Sequence, residues 1–332
     1  MVKCMSKPLE AIGIDLGGTK IEIGRVNQNG ELLQSIRFAT NSYKGPEKIQ
    51  EEILAAVQKL QSVTSYPISG IGIGVAGQID AVSGMVHFAP NLPNWRDIPL
   101  QANIEARLNI PVKVINDVRA ITWGEWLFGA GKQIKDVVCV FVGTGIGGGV
   151  VSQGNLLTGY SNSFAEVGHM AISLEGPPCT CGNIGCWEAL AGGWGIAQQA
   201  QQAILHETSK GYLLLKLSQG NIKDISAKTV VEAFRQGDPL ALHLMQNVQQ
   251  ALVAGCVNLI NLYNPECLIL GGGLIDGVPE LIPYIDEGIK QRALKVATQN
   301  LRVIPAQLGK QVGVIGAAAV VLHQILKDEL KK

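Results

Sequence analysis

Three thiols and an imidazole stand in the spacing His169-x9-Cys179-x-Cys181-x4-Cys186. Sulfur donors with one ring nitrogen suit a tetrahedral metal site, and zinc is the ion this set selects. Four protein ligands close the coordination sphere, so the ion is structural: it pins a loop and leaves no open position for a reacting water. Cys-x-Cys is tighter than finger spacing and requires a bent loop, which Pro177, Pro178, Gly182 and Gly185 supply. A redox dithiol is the competing reading, but the best-known redox spacing is Cys-x-x-Cys. Glu166 and Glu188 bracket the loop. They are either surface or capping carboxylates, or acceptors for the hydroxyls of a polyol such as a sugar.

Two glycine turns accompany this cluster. The first is Asp15-Leu16-Gly17-Gly18-Thr19-Lys20. Its glycines let backbone N–H groups approach an anion, Thr19 can donate to phosphate, and Asp15 can organise a hydrated magnesium ion. Taken alone it is an ordinary hairpin turn. The second, Gly143-Thr144-Gly145-Ile146-Gly147-Gly148-Gly149, follows an apolar run. Glycine costs a sheet roughly 0.5–1 kcal/mol per residue relative to alanine, so close approach of a phosphate is a natural compensation, and a glycine-rich bulge the plain one. Gly271-Gly272-Gly273 after Cys267–Leu270 would let a flat group such as adenine or ribose lie on backbone, or serve as a strand-to-helix turn. Asn116-Asp117 closes an apolar run and opens a helix. Asp is a preferred helix N-cap, and a carboxylate at a strand end is also placed to act as general base toward a hydroxyl.

Gly72/Gly74/Gly77 and Gly143/Gly145/Gly148 both match G-x-G-x-x-G, yet neither opens a helix at its third glycine, which a dinucleotide fingerprint requires. No Walker A sequence is present.

The elements that must carry these residues alternate between strand and helix periods. Residues 11–37 read as a three-stranded meander, 46–62 as an amphipathic helix, 68–75 as a buried strand and 78–98 as loop. A helix at 99–109, a strand at 112–115, a helix at 117–128 and a strand at 136–142 follow. Further helices are expected at 188–207, 228–236, 238–262, 279–294 and 313–327, with a strand at 267–270, giving an α/β class. Gly24-x-Val26-x-x-x-Gly30-x-Leu-Leu and Gly148-x-Val150-x-x-x-Gly154-x-Leu-Leu share one spacing. This is hairpin coincidence or the trace of two similar lobes.

With 332 residues, 47% of them apolar, the chain buries a sizeable interior in two domains or lobes. Lys+Arg and Asp+Glu are both 27, so no electrostatic footprint for nucleic acid or an anionic membrane exists. No uninterrupted apolar run is long enough to predict a membrane span, and the first residues lack a signal-peptide core. The seven cysteines read as reduced thiols of a cytoplasmic protein, with Cys4, Cys139, Cys256 and Cys267 as inert core.

Asp-x-Gly-Gly-Thr-Lys at 15–20, Asn116-Asp117, Gly-Thr-Gly at 143–145, Glu-x-Gly-His at 166–169 and Cys-x-Cys-Gly-x-x-Gly-Cys-x-Glu at 179–188 together resemble the ROK family of bacterial sugar kinases and sugar-responsive repressors. The resemblance runs from about residue 11 to about 325. It implies an actin-like (ribonuclease H-like) two-lobe fold, with ATP in an interlobe cleft and a hexose at its base. The first lobe would hold 1–117 plus about 315–332, and the second 118–314 with the zinc loop 169–186. Asp117 matches the catalytic base. Asn91, Asn116, Glu166, His169 and Glu188 match sugar contacts, so that His169 would serve both metal and sugar. Gly17, Gly18, Thr19, Thr144 and Gly145 match the phosphate turns, with Asp15, Lys20, Gly272 and Gly273 beside the nucleotide. ATP, catalytic Mg2+ and structural Zn2+ are the implied cofactors, and a homodimer the implied assembly.

The reaction so implied is phosphorylation of a hexose at its 6-hydroxyl, glucose first among substrates. N-acetylglucosamine, N-acetylmannosamine, mannose and fructose are the alternatives. A polyphosphate donor would favour clustered basic residues, and none cluster along the sequence. A regulator of the family would carry a helix-turn-helix ahead of the first strand, and the residues before Ala11 are too few for one. Arg119 and Trp123 depart from the commoner small or amide residues after the base, and would alter sugar choice if they faced the site.

Overall fold

Isoleucine and valine runs build two sheets of matching plan. The structure, a computed structural model, describes residues 9–64, 66–80, 82–207 and 211–330; Cys4 lies outside them. The chain divides into two units. One holds the described residues up to Ile134, then Asn155–Phe164 and the chain from Ala306 onward; the other holds Lys135–Gly154 and Ala165–Pro305.

In the first unit, β1 (Glu10–Leu16) forms a hairpin with β2 (Lys20–Asn27), which pairs with β3 (Leu32–Ala39). β4 (Ile68–Val75) and β8 (Val112–Asn116) add in parallel, giving the order β3-β2-β1-β4-β8. Alternation along β1 sends Ile12, Ile14 and Leu16 to a core shared with Ile49, Ile53, Val57 and Leu60 of α1 (Gly45–Gln61). Ala11 faces the other way, toward Val314 and Ala318 of α12 (Val312–Leu330). That helix packs at backbone distance. A Cβ on Gly13 would lie 1.9 Å from the Val314 carbonyl oxygen, and one on Gly72 1.8 Å from that of Ala317. Gly72 of the first G-x-G-x-x-G match is thus spent on helix packing. Residues 309–327 are long and apolar enough, at mean hydropathy 1.3, to cross a membrane by length and composition. The apolar faces of this helix are taken up by β1, β4 and α3 (Asp117–Phe128).

The stretch 78–98, expected as loop, carries a small antiparallel sheet of β5 (Gln78–Ile79), β6 (Val86–Phe88) and β7 (Arg96–Ile98), with Trp95 buried beneath it. Its strands are too short to show a period. α2 (Leu100–Leu108) leads into β8, and β11 (Asn155–Leu156) opens the middle segment.

In the second unit β9 (Val137–Val142) forms a hairpin with β10 (Ile146–Ser152), and β12 (Cys267–Gly271) and β13 (Arg302–Pro305) add in parallel, in the order β10-β9-β12-β13. This repeats β2-β1-β4-β8. The echoed motifs occupy equivalent places on β2 and β10, and each passes through a positive-φ glycine, Gly30 at 82° and Gly154 at 72°. The shared spacing reflects repeated architecture.

The helix expected at 188–207 breaks at Gly192 into α4 (Trp187–Ala191) and α5 (Gly193–His206), because the Gly193 N–H turns to the Gly143 carbonyl at 3.0 Å. α6 (Tyr212–Leu217), α7 (Ala227–Arg235), the long buried α8 (Pro239–Tyr263), α9 (Gly273–Gly277), α10 (Leu281–Arg292) and α11 (Lys295–Thr298) complete the unit. α6, α9 and α11 are short helices without a sequence period. The sequence-based boundary at 117/118 falls at 134/135 instead. α3 belongs with α12, where a Cβ on Gly124 would lie 2.8 Å from Gly316 Cα.

Candidate active site

The first glycine turn closes with Gly17 N–H donating to the Lys20 carbonyl at 3.1 Å, and Thr40 Oγ1 donating to the Gly17 carbonyl at 2.6 Å. Asn91 lies against it: a Cβ on Gly18 would sit 2.5 Å from the Asn91 carbonyl oxygen. The structure therefore brings the expected sugar contact Asn91 to the expected phosphate turn. Thr19 and Lys20 are exposed. Asp15 is half-buried, and no hydrogen bond among the described residues engages its carboxylate. Burial pushes it above its ordinary range, with Lys20 opposing. An unpartnered, partly desolvated carboxylate fits a hydrated cation.

The helix cap is Asn116, not Asp117: Asn116 Oδ1 accepts from the N–H groups of Val118 at 3.1 Å and Arg119 at 3.3 Å. This leaves the Asn116 amide NH2 as the group able to donate outward. Asp117 is the first helical residue, half-buried, with Oδ1 accepting from Val118 N–H at 2.9 Å. A helix N-terminus favours negative charge there. Arg119 and Trp123 turn inward. Arg119 is 2% exposed and donates to Asn162 Oδ1 at 2.6 Å and the Phe164 carbonyl at 3.0 Å, fastening the middle segment to α3. Trp123 stacks beside Trp126 and meets His323 edge-on at 4.9 Å.

In the second unit, His169 Nδ1 lies 3.7 Å from Cys179 Sγ, Cys181 Sγ lies 3.6 Å from Cys186 Sγ, and the four donor atoms all fall within 4.8 Å of one another. Donors at zinc bond lengths in a tetrahedron stand about 3.5–3.8 Å apart, so the set fits zinc. Because Nδ1 faces the thiols, Nε2 is the nitrogen left for a second partner. The loop bends through Gly182 at φ 92° and Gly185 at φ 68°, and a Cβ on Gly185 would strike the Ser173 carbonyl at 2.0 Å. Burial, and then the neighbouring thiols, push Cys186 up to about 12, while a backbone N–H from Asn183 draws Cys181 down. A bound cation would offset the cost of ionising these thiols together. Glu166 is exposed, at the start of the short 3-10 turn Val167–His169. Room for that turn comes from Gly148, where a Cβ would lie 2.8 Å from Val167.

Glu188 is half-buried and anchored. Its Oε2 accepts from Ile146 N–H at 2.8 Å and its Oε1 from Trp194 Nε1–H at 3.0 Å. A Cβ on Gly145 would come 2.1 Å from Oε2, so this glycine of the second turn makes room for a carboxylate of the protein itself. Gly143 has nothing within 4 Å of such a Cβ. It lines, with Thr144, a cavity of about 1150 Å³ that also reaches Trp194, Gly273 and Leu274. That exceeds the roughly 300–1,000 Å³ common for ligand pockets and accommodates a nucleotide. Gly272, at φ 92°, packs against the Val142 backbone and aims α9 at the cavity.

Sequence reasoning missed Lys223, Ser226, Lys228 and Arg235, which line the same cavity. Basic residues do cluster here, in space and not along the chain. The available signal was Ser226-x-x-Thr229, a capping box that opens α7 at the cavity wall.

Residues 11–324 match the ROK family. The glucokinase of Streptomyces coelicolor is 36% identical over 308 residues, covering 92% of this chain and 96% of that protein. A crystal structure of a ROK family glucokinase from Streptomyces griseus, in complex with glucose and AMPPNP, matches with a TM-score of 0.78 at 36% identity, over 94% of this chain and 98% of that one. The ROK hexokinase of Thermus thermophilus matches with a TM-score of 0.82 at 28% identity, over 96% of this chain and 100% of that one. Repeated α/β units, each with a glycine turn on its leading hairpin, place the protein in the actin-like class of sugar kinases. The chain belongs to the ROK family.

Proposed function

We propose that this protein transfers the γ-phosphoryl group of ATP to the 6-hydroxyl of a hexose, converting glucose to glucose 6-phosphate. The observation that carries the reading is the anchored carboxylate of Glu188 on the glycine turn that opens into the nucleotide-sized cavity. It supports a hydroxyl acceptor and a phosphate cradle on adjoining backbone. The likeness to glucokinases at 36% identity supports the choice of glucose.

In this reading Asp117 takes the proton of the 6-hydroxyl as its oxygen attacks phosphorus in line and ADP leaves with the bond electrons. Asn91, the Asn116 amide, Glu166, His169 Nε2 and Glu188 hold the other hydroxyls. Gly17, Gly18, Thr19, Thr144 and Gly145 orient the phosphates through backbone N–H and hydroxyl donors, and Gly272 and Gly273 give the nucleoside a flat wall. Positioning and electrostatics supply most of the rate in such transfers. Magnesium, held through water at Asp15, would supply positive charge to the phosphates. Zinc on His169, Cys179, Cys181 and Cys186 would keep the sugar-binding loop rigid. The six free cysteines of the described residues suit the cytoplasm. A homodimer is the assembly the resemblance implies, tested by light scattering.

A coupled ADP-release assay across glucose, mannose, fructose, N-acetylglucosamine and N-acetylmannosamine tests the reading, with polyphosphate as an alternative donor read by sugar phosphate formed. Glucose with ATP is expected to give the highest kcat/KM. A higher value for another sugar or for polyphosphate overturns the assignment.

A further inference from the structure

We propose that Trp194 is a positioning residue that couples nucleotide occupancy of the cavity to the grip of Glu188 on the sugar; this rests on the reading of Glu188 as a sugar ligand. One residue makes four connections. Its backbone N–H donates to the Thr144 carbonyl at 2.8 Å, on the second glycine turn. Its indole Nε1–H donates to Glu188 Oε1 at 3.0 Å. Its side chain packs on the cluster of Cys179, Cys186 and Ala189 at the metal loop. The residue also lines the cavity of about 1150 Å³.

The terminal torsion of a glutamate is soft and roughly two-fold, so packing alone does not set the carboxylate plane. Two donors on two oxygens do. Ile146 N–H is a backbone group of β10 and holds Oε2 in place. The indole holds Oε1, and because an indole N–H is a single donor in the ring plane, the bond also ties the orientation of the ring to that oxygen. A nucleotide entering the cavity meets the wall to which Trp194 belongs. Whatever order it imposes on the ring passes through one charge-assisted hydrogen bond to the carboxylate. Thermodynamic linkage makes the effect reciprocal: sugar bound at Glu188 must tighten nucleotide by the same factor. Trp187 is a contrast within the same fold. It is fully buried over Gly255, with Nε1 lacking a partner, and serves as core.

The test is a calorimetric cycle. Glucose affinity is measured with and without ADP for the wild type, Trp194→Phe, Glu188→Ala and the double variant, with Tm recorded for each. In the wild type ADP is expected to tighten glucose binding. Trp194→Phe is expected to weaken glucose about tenfold, the scale of a lost hydrogen bond to a charged group, and to abolish the ADP effect. In the Glu188→Ala background, Trp194→Phe should cost nothing further. Trp194→His, which keeps a ring N–H, should restore part of the coupling if the phenylalanine variant is poorly folded. Trp187→Phe should lower Tm and leave the coupling intact. Absence of coupling in the wild type, its survival in Trp194→Phe, an equal loss in the Glu188→Ala background, or its loss in Trp187→Phe overturns the inference. A wild type that phosphorylates no hexose sinks the proposed function and takes the inference with it. A wild type that does so, with Trp194→Phe indistinguishable from it, sinks the inference alone.

Discussion

The two sheets share a strand order, β2-β1-β4-β8 in one unit and β10-β9-β12-β13 in the other, yet they use their glycines for different ends. In the first sheet Gly13 and Gly72 flatten the strand face so that the backbone of α12 can lie on it. In the second, Gly145 and Gly148 admit Glu188 and the turn that carries His169. One architecture thus supports two uses of the same vacancy, helix packing and site assembly. What a glycine is for depends on what the chain lays across it. Gly13 and Gly72 should therefore matter to stability, and Gly145 and Gly148 to activity.

The largest effect expected in either unit is the loss of the proposed base, Asp117. Asp117→Asn should lower kcat at least about a hundredfold, the low end for general-base catalysis, with only a small fall in Tm in thermal denaturation. Next comes a direct contrast of glycines. Gly145→Ala forces Glu188 off its two donors and should cost about ten- to a hundredfold in kcat/KM for glucose, with a small change in Tm. Gly72→Ala drives a methyl into the Ala317 carbonyl and should cost about 1–3 kcal/mol of stability in urea titration, with kcat of the folded fraction preserved. The reverse pattern would end the comparison.

Metal removal sharpens it further. The protein is expected to carry one zinc per chain by mass spectrometry of the native form. Cys181→Ser or chelation should raise the glucose KM about tenfold while moving the ATP KM less, because the proposed ion would pin the loop that ends at Glu188 directly and reach the cavity wall only through Trp194. A metal-free protein with normal glucose KM would remove the metal from the argument. The smallest effect on stability lies at Asp15. Its carboxyl is raised by burial, so its ionised form is disfavoured in the folded state. That cost is absent below its ordinary value of 3.8 and grows as pH rises through the raised folded value. Asp15→Asn should therefore raise Tm modestly at pH 7–8, and the gain should shrink as the pH is lowered toward 3.8.

Features that act over short chain distance were open to sequence reading. The metal quartet, both glycine turns and Asn116-Asp117 were identified because their geometry is a matter of spacing and turn chemistry within a few residues. Even there the cap was misassigned by one position, since Asn and Asp are equally good caps and only the backbone at Asn116, φ −59° and ψ 139°, separates them. The strands of 78–98 were missed because two- and three-residue strands have no period. The break at Gly192 was missed because its cause, the Gly143 carbonyl, lies far off in sequence.

By itself the sequence determined the spacing of the thiol and imidazole quartet, the two glycine turns, and the α/β alternation that carries them. Only the tertiary structure decided that Glu188 sits on Gly145 with Trp194 beside it, and that Lys223, Lys228 and Arg235 share a cavity with Thr144. It also decided that α12 lies at backbone distance on Gly13 and Gly72 of the first sheet. The reason is physical: these contacts join residues brought together by strand order and helix packing, which periodicity along a chain does not specify.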